Sequence, residues 1–353
     1  MRPPKRSGGS SWHPPPEVPD LFGVPLREAE LARRVGHLSQ LASVRRLVLD
    51  QGGEAGVRAL AFDTGGGLAF WVLVDRSLDI GTLSWRGIPC AWQGPNGFRA
   101  PWLHDAEAEQ GRGFLRSFGG LLVTCGLGHT RQPADGRPLH GRLPFTPARL
   151  TGYGEVWDTD APHLFCEGEV VDAVAGGERW VLARRIEAPI GGSSIRIVDR
   201  VRNAAFAPRP QPILYHFNLG FPLVAPESRV ALDDRPLDLD LASLGRAEPA
   251  RVTCRRAAAA GWSRCEVRSR HATLAIGFDT TTLPWLQTWL DPAPGMHVLG
   301  IEPCNTDRAA DGRNVAEPAI DLAPGAARTY RLEIALAEPA PGPDERPSGT
   351  GPT

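Results

Sequence analysis

A glutamate near the C-terminal end of the sequence is placed like a general base. Glu302 ends the apolar run from His297 to Ile301, so we expect its side chain to be partly buried. Burial disfavours the charged carboxylate and raises its pKa toward neutrality, where a carboxylate becomes an effective proton acceptor. The alternative is a structural ion pair with one of the many arginines.

A histidine and an asparagine share one side of a predicted strand. His216 and Asn218 are two residues apart, and side chains at that spacing point to the same face of a β-strand. The apolar residues Tyr215, Phe217 and Leu219 would then point to the core. This pattern predicts the floor of a binding cleft, and the alternative is a solvated outer face of a sheet.

Two further polar groups lie next to glycine-rich or apolar segments. His140-Gly141-Arg142 follows the run SFGGLLVTCGL at residues 117–127, and it is either part of a site or a turn where backbone segments pack closely. Arg76 and Asp79 lie in the motif RSLDIG. Buried polar groups need partners, so we expect these two residues to pair with each other or with a ligand.

Several common enzyme classes lack their local motifs in this sequence. Lys5 is the only lysine among 39 basic residues, which removes Schiff-base chemistry and a P-loop lysine from the body of the protein. No G-x-S-x-G, H-E-x-x-H or C-x-x-C spacing is present. His140, His216 and Glu302 could still converge as metal ligands, which leaves metal-assisted catalysis as an alternative.

Charge and hydropathy limit the partners and the compartment. The formal net charge is −1, which gives no electrostatic reason to expect nucleic acid or an anionic membrane surface as partner. The N-terminal residues lack the apolar region of a signal peptide, and no apolar run approaches the length of a membrane span. With six cysteines and no close pair, we predict a cytoplasmic protein with reduced thiols.

The elements that would position the candidate residues are mostly strands. Alternating or continuous apolar patterns predict strands at Gly67–Gly87, Arg179–Ala204, His271–Thr280 and Ala327–Glu338. Helical character is limited to Pro25–Val35, and 40 glycines and 34 prolines indicate a high turn content. We therefore predict an all-β protein in which residues 21–337 form one large antiparallel β-sandwich, flanked by flexible tails at 1–20 and 338–353.

Five ordered motifs resemble the aldose 1-epimerase (galactose mutarotase-like) superfamily, and within it the DUF4432 branch. They occur in the order of that branch and extend over nearly the whole chain outside the tails. They are RSLDIG (76–81), SFGGLLVTCGL (117–127), HGR (140–142), YHFNLGFP (215–222) and IEPCN (301–305).

The resemblance implies a β-sandwich with a sugar-binding cleft on one sheet and a reaction that needs no metal or cofactor. Glu302 would take the proton of the anomeric hydroxyl, and His216 would give a proton to the ring oxygen. His140 would steady the sugar, and Arg76 would bind its hydroxyl groups. The implied activity is that of an aldose 1-epimerase, an isomerase that interconverts the anomers of a sugar or sugar derivative.

Two departures from the galactose mutarotase pattern bear on this assignment. His216 lies two residues before Asn218 instead of four, which keeps it on the same side of a strand but moves it by about 6.6 Å along the strand. The H-G-G of galactose mutarotases is here His140-Gly141-Arg142. An arginine at that position could bind a carboxylate or phosphate of an acidic or phosphorylated sugar, or it could be structural.

Three other side chains are candidates to hydrogen-bond the sugar. Gln287 shares strand parity with Trp285 and Trp289, Asn305 closes the IEPCN motif, and Asp79 lies beside Arg76. We expect a sugar or sugar derivative as partner of a monomer or homodimer. The alternatives are a carbohydrate-binding protein without turnover and a different isomerase or lyase on the same fold.

Overall fold

The computed structural model describes residues 20–339, and within them the chain is built almost entirely from antiparallel strands. Strands β1 to β12 are Asp20–Leu21, Val24–Pro25, Ser43–Val48, Arg58–Asp63, Leu68–Leu73, Asp79–Trp85, Ile88–Pro89, Leu122–Gly126, Arg149–Val156, His163–Ala173, Arg179–Pro189 and Ser194–Asn203. Strands β13 to β23 are Arg209–Pro210, Ile213–Leu219, Arg229–Leu232, Arg235–Pro236, Arg251–Arg256, Ser263–Arg268, Thr273–Phe278, Trp285–Asp291, Val298–Cys304, Asp321–Leu322 and Ala327–Ala337.

Helices in the described residues are short and peripheral. The α-helices are α1, Glu28–Ala32, and α2, Ala108–Gly111. Single 3₁₀ turns lie at Leu38–Gln40, Gly52–Glu54, Pro101–Leu103, Gly113–Arg116, Leu241–Ser243 and Pro318–Ile320. The helix predicted over Pro25–Val35 is thus shorter than expected. No side chain caps its N-terminus and only Leu31 is buried, so little packing supports a longer helix.

The strands form three main sheets. A nine-stranded sheet has the order β16-β15-β18-β19-β23-β12-β11-β10-β9, and the two five-stranded sheets have the orders β17-β20-β21-β14-β8 and β3-β4-β5-β6-β7. Every strand pair in these sheets is antiparallel. The prediction of a large antiparallel β-sandwich is confirmed, as is the hairpin at Arg179–Ala204, which is β11 and β12.

The two faces of the sheet β17-β20-β21-β14-β8 belong to different apolar clusters. Tyr215, Phe217 and Ile301 lie in the large cluster that this sheet shares with the nine-stranded sheet. On the opposite face, Leu214 and Cys304 belong to a smaller cluster. This separation follows from the alternation of side chains along β14 and β21, which places successive residues on opposite sides of a strand.

The smaller cluster supports the face on which the candidate site lies. It is completed by aromatic side chains from the segment between β7 and β9, namely Trp92, Phe114, Phe118 and Phe145. The long connections from β7 to β8 and from β8 to β9 therefore fold over the outer face of the sheet instead of leaving it open to solvent. The predicted tails, 1–20 and 338–353, lie outside the described residues except for Asp20 in β1 and residues 338–339.

Candidate active site

A pocket of about 230 Å³ lies on the outer face of the sheet β17-β20-β21-β14-β8. Four of the residues singled out in the sequence line it, from three different parts of the chain: His140, His216, Gln287 and Glu302. His216 comes from β14, Gln287 from β20 and Glu302 from β21, three adjacent strands of one sheet. The sheet thus brings together side chains that are far apart in sequence.

His216 and Glu302 form the centre of the pocket floor. His216 Nε2 lies 3.4 Å from Glu302 Oε1, and both side chains are buried. Burial raises the pKa of Glu302 to about 8, although the hydrogen bond from Gln287 and the nearby Arg131 lower it in part. Burial also lowers the pKa of His216 to about 3. Both shifts disfavour charge, so the resting pair holds one proton on the carboxyl beside a neutral imidazole.

Each partner of this pair keeps a buried polar atom free of hydrogen bonds. Among the described residues, neither Glu302 Oε1 nor His216 Nδ1 has a hydrogen-bond partner. Buried polar atoms are nearly always satisfied in folded proteins, and unpaired ones are concentrated where function requires them. The free carboxyl oxygen is the atom closest to the imidazole, so it is available to a bound molecule.

A chain of hydrogen bonds holds the other oxygen of Glu302. Gln287 Nε2 donates to Glu302 Oε2 at 2.5 Å, and Arg131 Nε donates to Gln287 Oε1 at 2.9 Å. The two donors fix both the Gln287 amide and the carboxyl plane. Gln287 and Glu302 are also directly opposite each other in the β20–β21 pairing. The alternative of an ion pair between Glu302 and an arginine is not what the structure shows, because Gln287 stands between them.

His140 forms a wall of the pocket from the loop between β8 and β9. Its Nδ1 accepts a hydrogen bond from the backbone N–H of Arg131 at 3.4 Å, which leaves the ring proton of the neutral imidazole on Nε2. Burial, reinforced by His216 and Arg131, lowers the pKa of His140 well below its usual value. The His140 and His216 rings are 5.6 Å apart between centroids. His140 therefore offers a neutral N–H donor beside the central pair.

Aromatic rings close the sides of the pocket. His216 packs edge to face against Phe118 at 5.0 Å and against Trp289 at 5.5 Å between ring centroids. Phe114 lies 4.8 Å from the His140 ring. These contacts fix the two imidazoles, and Trp289 offers the pocket an indole ring of the kind that packs against the apolar face of a sugar.

Two sequence candidates, Arg76 and Asp79, do not line this pocket. Asp79 is buried under the sheet, where its carboxylate accepts hydrogen bonds from Arg184 at 2.6 Å and from the Thr124 hydroxyl at 2.6 Å. Arg76 is also buried: it donates to the Ser117 carbonyl at 2.5 Å and lies 4.4 Å from the centre of the Phe145 ring. The two residues do not form the predicted ion pair, because Asp79 pairs with Arg184.

Three further sequence candidates are engaged elsewhere. Arg142 forms an ion pair with Glu107 at 2.7 Å outside the pocket, so the forked contact with a sugar anion predicted for it is not supported by its position. The Asn218 amide donates to the carbonyls of Gly120 and His216. Asn305 accepts from the Ile213 N–H and donates to the Gln211 carbonyl, which ties β21 to the start of β14.

The pocket also contains three arginines: Arg112, which the sequence offers as one of several arginines that could line a cleft, and Arg131 and Arg308, which the sequence analysis did not select. Arg131 is the most buried of them. It follows the motif SFGGLLVTCGL by four residues, at the start of the loop after β8. The sequence signal that could have identified Arg131 is a charged residue in the loop that follows β8, a buried strand adjacent to β14.

The described residues contain no group of three or more His, Cys, Asp or Glu side chains able to hold a metal ion. His140, His216 and Glu302 are therefore not arranged as a metal-ligand set. The six cysteines are free thiols. Within residues 20–339, no helix is long and apolar enough to cross a membrane.

Solved structures with the same fold include several proteins named for sugar epimerisation. A candidate aldose 1-epimerase from Klebsiella pneumoniae is 22% identical, with 86% of both chains covered and a TM-score of 0.75. A galactose mutarotase-like protein from Clostridium acetobutylicum is 11% identical over 84% of this chain and 98% of its own, with a TM-score of 0.57. A galactose 1-epimerase from Lactobacillus acidophilus is 11% identical over 84% and 99%, with a TM-score of 0.51.

At these identities the structural likeness establishes the fold, and the family comes from the sequence match. None of the curated proteins matches the sequence. The family model described as a domain of unknown function, DUF4432, matches residues 54–336. Because that match covers most of the chain, the protein belongs to the DUF4432 family and has the galactose mutarotase-like fold.

Proposed function

We propose that this protein interconverts the anomers of a sugar by general acid–base catalysis with Glu302 and His216. The observation that carries the proposal is the buried pair itself, with Nε2 and Oε1 3.4 Å apart at the floor of a small pocket. Ring opening requires one proton to leave the anomeric hydroxyl and one to reach the ring oxygen. Two adjacent groups that share a proton can perform both transfers.

The proton count of the pair fits a reversible ring opening. When Glu302 takes the anomeric proton and protonated His216 gives one to the ring oxygen, the pair ends as a carboxylic acid beside a neutral imidazole. Ring closure on the other face of the carbonyl reverses both transfers and restores the starting state. The raised pKa of Glu302, caused by burial, and the lowered pKa of His216 favour the second state when the pocket is empty. The shared proton must therefore move from Glu302 Oε1 to His216 Nε2, 3.4 Å away, before a cyclic sugar reacts.

The other pocket residues have supporting roles in this proposal. Gln287 and Arg131 hold Glu302 Oε2, so that Oε1 faces the substrate. His140 would donate its Nε2 proton to a sugar hydroxyl, and Trp289 would pack against the ring. A cavity of about 230 Å³ is smaller than the roughly 300–1,000 Å³ of drug-sized sites, which suits one monosaccharide.

Exchange spectroscopy by NMR on wild type and Glu302→Gln tests the proposal. Glutamine keeps the size of the side chain but cannot take a proton, so we expect the exchange rate to fall by about 10²–10⁴-fold. The control is Glu227→Gln, at an exposed carboxylate 3.8 Å from Arg270 and outside the pocket. The probes are aldohexoses, hexuronates and hexose 6-phosphates.

Two outcomes would count against catalysis by this pair. Wild-type exchange rates in Glu302→Gln would remove the carboxyl from the reaction. A sugar that raises the melting temperature while its anomers exchange at the spontaneous rate would instead identify a carbohydrate-binding protein.

A further inference from the structure

The arginines of the pocket differ from their neighbours in having no carboxylate partner. On the loops around the pocket, Arg116 pairs with Glu109 and Arg142 pairs with Glu107. The three pocket arginines, Arg112, Arg131 and Arg308, form no ion pair within the described part of the chain. Positive charge thus accumulates at one place without compensation from the protein.

Arg131 supplies positive charge but no free donor. Its guanidinium is buried, with 3% of the residue exposed. All three nitrogens donate to neutral acceptors, which include the side chains of Gln287, Thr306 and Asn314. Burying an ion without a counter-charge is costly, and hydrogen bonds to neutral groups offset only part of that cost. The remaining charge raises the potential of the pocket and favours an anion inside it.

Arg112 and Arg308 have the free donors that Arg131 lacks, and they share one rim of the pocket. Arg112 Nη2 donates to Gln132 Oε1 at 3.3 Å, and Arg308 Nη1 makes a 3.5 Å contact with the Ala309 carbonyl. A methyl group placed on Gly312 would lie 2.8 Å from Gln132 Cγ and 3.0 Å from Arg308 Nη2. Gln132 and Gly312 therefore lie between the two guanidinium groups on this rim.

The acidic side chains that face the pocket do not neutralise this rim. They are Glu302, whose Oε2 is bound by Gln287, and Asp291, whose Oδ1 accepts the backbone N–H of Ala293. Three guanidinium groups face at most two carboxylates. The excess charge and the unused donors lie at the mouth, whereas the Glu302–His216 pair lies at the floor.

We propose that the substrate is an anionic sugar whose carboxylate or phosphate is bound by Arg112 and Arg308 while its anomeric centre reaches Glu302 and His216. This inference rests on the proposed function for the position of the anomeric centre. The planar guanidinium binds the oxygens of either anion through two parallel hydrogen bonds. A neutral hexose would leave both rim arginines without a counter-charge.

The test compares neutral and anionic sugars on wild type and on the double variant Arg112→Gln/Arg308→Gln. The probes are glucose, galactose, their uronates and their 6-phosphates, with anomer exchange followed by NMR at low and at physiological salt. We expect kcat/KM to be highest for a uronate or a 6-phosphate. In the double variant the ratio of kcat/KM for that sugar to kcat/KM for its neutral parent should fall by about 10–100-fold. The charge-matched control is the double variant Arg270→Gln/Arg313→Gln, because both arginines are exposed and lie outside the pocket.

The outcomes separate this inference from the proposed function. Faster exchange of uronates supports a carboxylate ligand, and faster exchange of 6-phosphates supports a phosphate ligand. Neutral sugars exchanged as fast as anionic ones, with no effect of the double variant, would overturn the anion site but leave the epimerase proposal intact. If no sugar is exchanged, the epimerase proposal fails and equilibrium binding decides the anion site. Tighter binding of anionic than neutral sugars, lost in the double variant and at high salt, then supports it, and equal or absent binding overturns it.

Discussion

A buried arginine lies on each face of the sheet β17-β20-β21-β14-β8, Arg184 on the inner face and Arg131 on the outer face. Carboxylates pair with the first arginine, and neutral groups bind the second. On the inner face, Arg184 donates to Asp199 at 2.7 and 2.9 Å and to Asp79 at 2.6 Å. The Tyr215 hydroxyl adds a hydrogen bond to Asp199 at 2.8 Å. On the outer face, the acceptors of Arg131 within residues 20–339 are all neutral, and the Glu302 carboxyl is held through Gln287.

This difference distinguishes a structural network on the inner face from a candidate ligand-binding site on the outer face. The Arg184 network contains its own counter-charges, so nothing from outside is needed to stabilise it, and it joins strands β6, β8, β11 and β12. The outer face leaves Glu302 Oε1 and His216 Nδ1 unpaired and Arg131 without a carboxylate. A buried charge that the protein neutralises is structural, whereas one that it leaves open is available to a ligand.

The pleat of the strands is what keeps the two clusters apart. In β14, Tyr215 faces the inner network and His216 faces the pocket. In β21, Ile301 lies in the inner core and Glu302 in the pocket. A register shift of one residue would exchange the faces and place Glu302 between the two sheets.

The largest expected difference between the two faces is in the stability lost when the buried arginine of each face is replaced. Arg184→Met leaves Asp79 and Asp199 buried without a counter-charge, and we expect a loss of about 3–5 kcal/mol in the free energy of unfolding. Arg131→Met leaves only neutral acceptors unpaired, so the expected loss is about 1–3 kcal/mol. Urea unfolding followed by tryptophan fluorescence measures both values.

Arg131→Met should lower activity more than Arg184→Met does, which is the reverse of their expected order in loss of stability. Arg131→Met releases Gln287 and with it Glu302, so exchange per folded molecule should fall, whereas a folded fraction of Arg184→Met should keep a normal pocket. Equal losses of stability, or an unchanged pH profile of exchange in Arg131→Met, would contradict the proposed distinction between the faces.

The inner face shows how much of the structure the sequence predicts. Period-two patterns identify β12 and β14 because alternate side chains of these strands point into the apolar layer between the sheets, and the motif around Asp79 is correctly expected to be buried with a partner. The partner is Arg184, which lies 105 residues away, and the pattern of one strand carries no information about which distant strand supplies a counter-charge. Asp79 is therefore correctly predicted as buried but incorrectly paired.

The outer face shows the complementary limit. His216 and Gln287 are predicted from strand parity, because side chains that alternate with core residues must share the other face. Glu302 is predicted because it ends an apolar run. Arg112, Arg131 and Arg308 lie on three different loops, β7–β8, β8–β9 and β21–β22, which meet only through the way they pack over the sheet. No local periodicity encodes that packing, and Arg142 is the arginine that the family motif favours instead.

On the outer face, the pH dependence of stability tests whether Glu302 is neutral in the folded protein. Burial raises the pKa of Glu302 from 4.5 to about 8, so between these values the unfolded chain ionises this group and the folded protein does not. Folding is then favoured at low pH, and its free energy falls as pH rises toward 8. Relative to Glu302→Gln, wild type should lose about 2 kcal/mol between about pH 5.5 and about pH 7.5.

Comparing wild type with Glu302→Gln separates the contribution of Glu302 to the pH dependence of stability from that of His216. Burial lowers the pKa of His216 to about 3, so its stabilising effect is complete above the unfolded value of 6.5 and is lost as pH falls toward 3. That contribution is present in both proteins and largely cancels in their difference. Urea titrations at the two pH values provide the measurement, and a difference that is constant or grows with pH would show that Glu302 is ionised in the empty pocket.

The smallest expected effect comes from one methyl group beside the Glu302–His216 pair. Gly300 lies opposite Asn218 in β14 and Trp289 in β20. A Cβ at this position would be 2.7 Å from Glu302 Oε1 and 3.2 Å from His216 Cε1. The carboxyl oxygen must therefore turn away from the imidazole, although the backbone of Gly300 needs no special conformation.

We expect Gly300→Ala to lower kcat for anomer exchange by about 10-fold, because small displacements of a catalytic group are costly to rate. The new Cβ would also lie 3.2 Å from Trp289 Cβ, so the melting temperature should fall slightly, and kcat is compared per folded molecule. Gly36→Ala, where a methyl would meet nothing within 4 Å, is the matched control. Full activity in Gly300→Ala would mean that the reaction tolerates a displaced Glu302 Oε1. The short distance between the carboxyl and the imidazole would then have no role in the function proposed for the outer face.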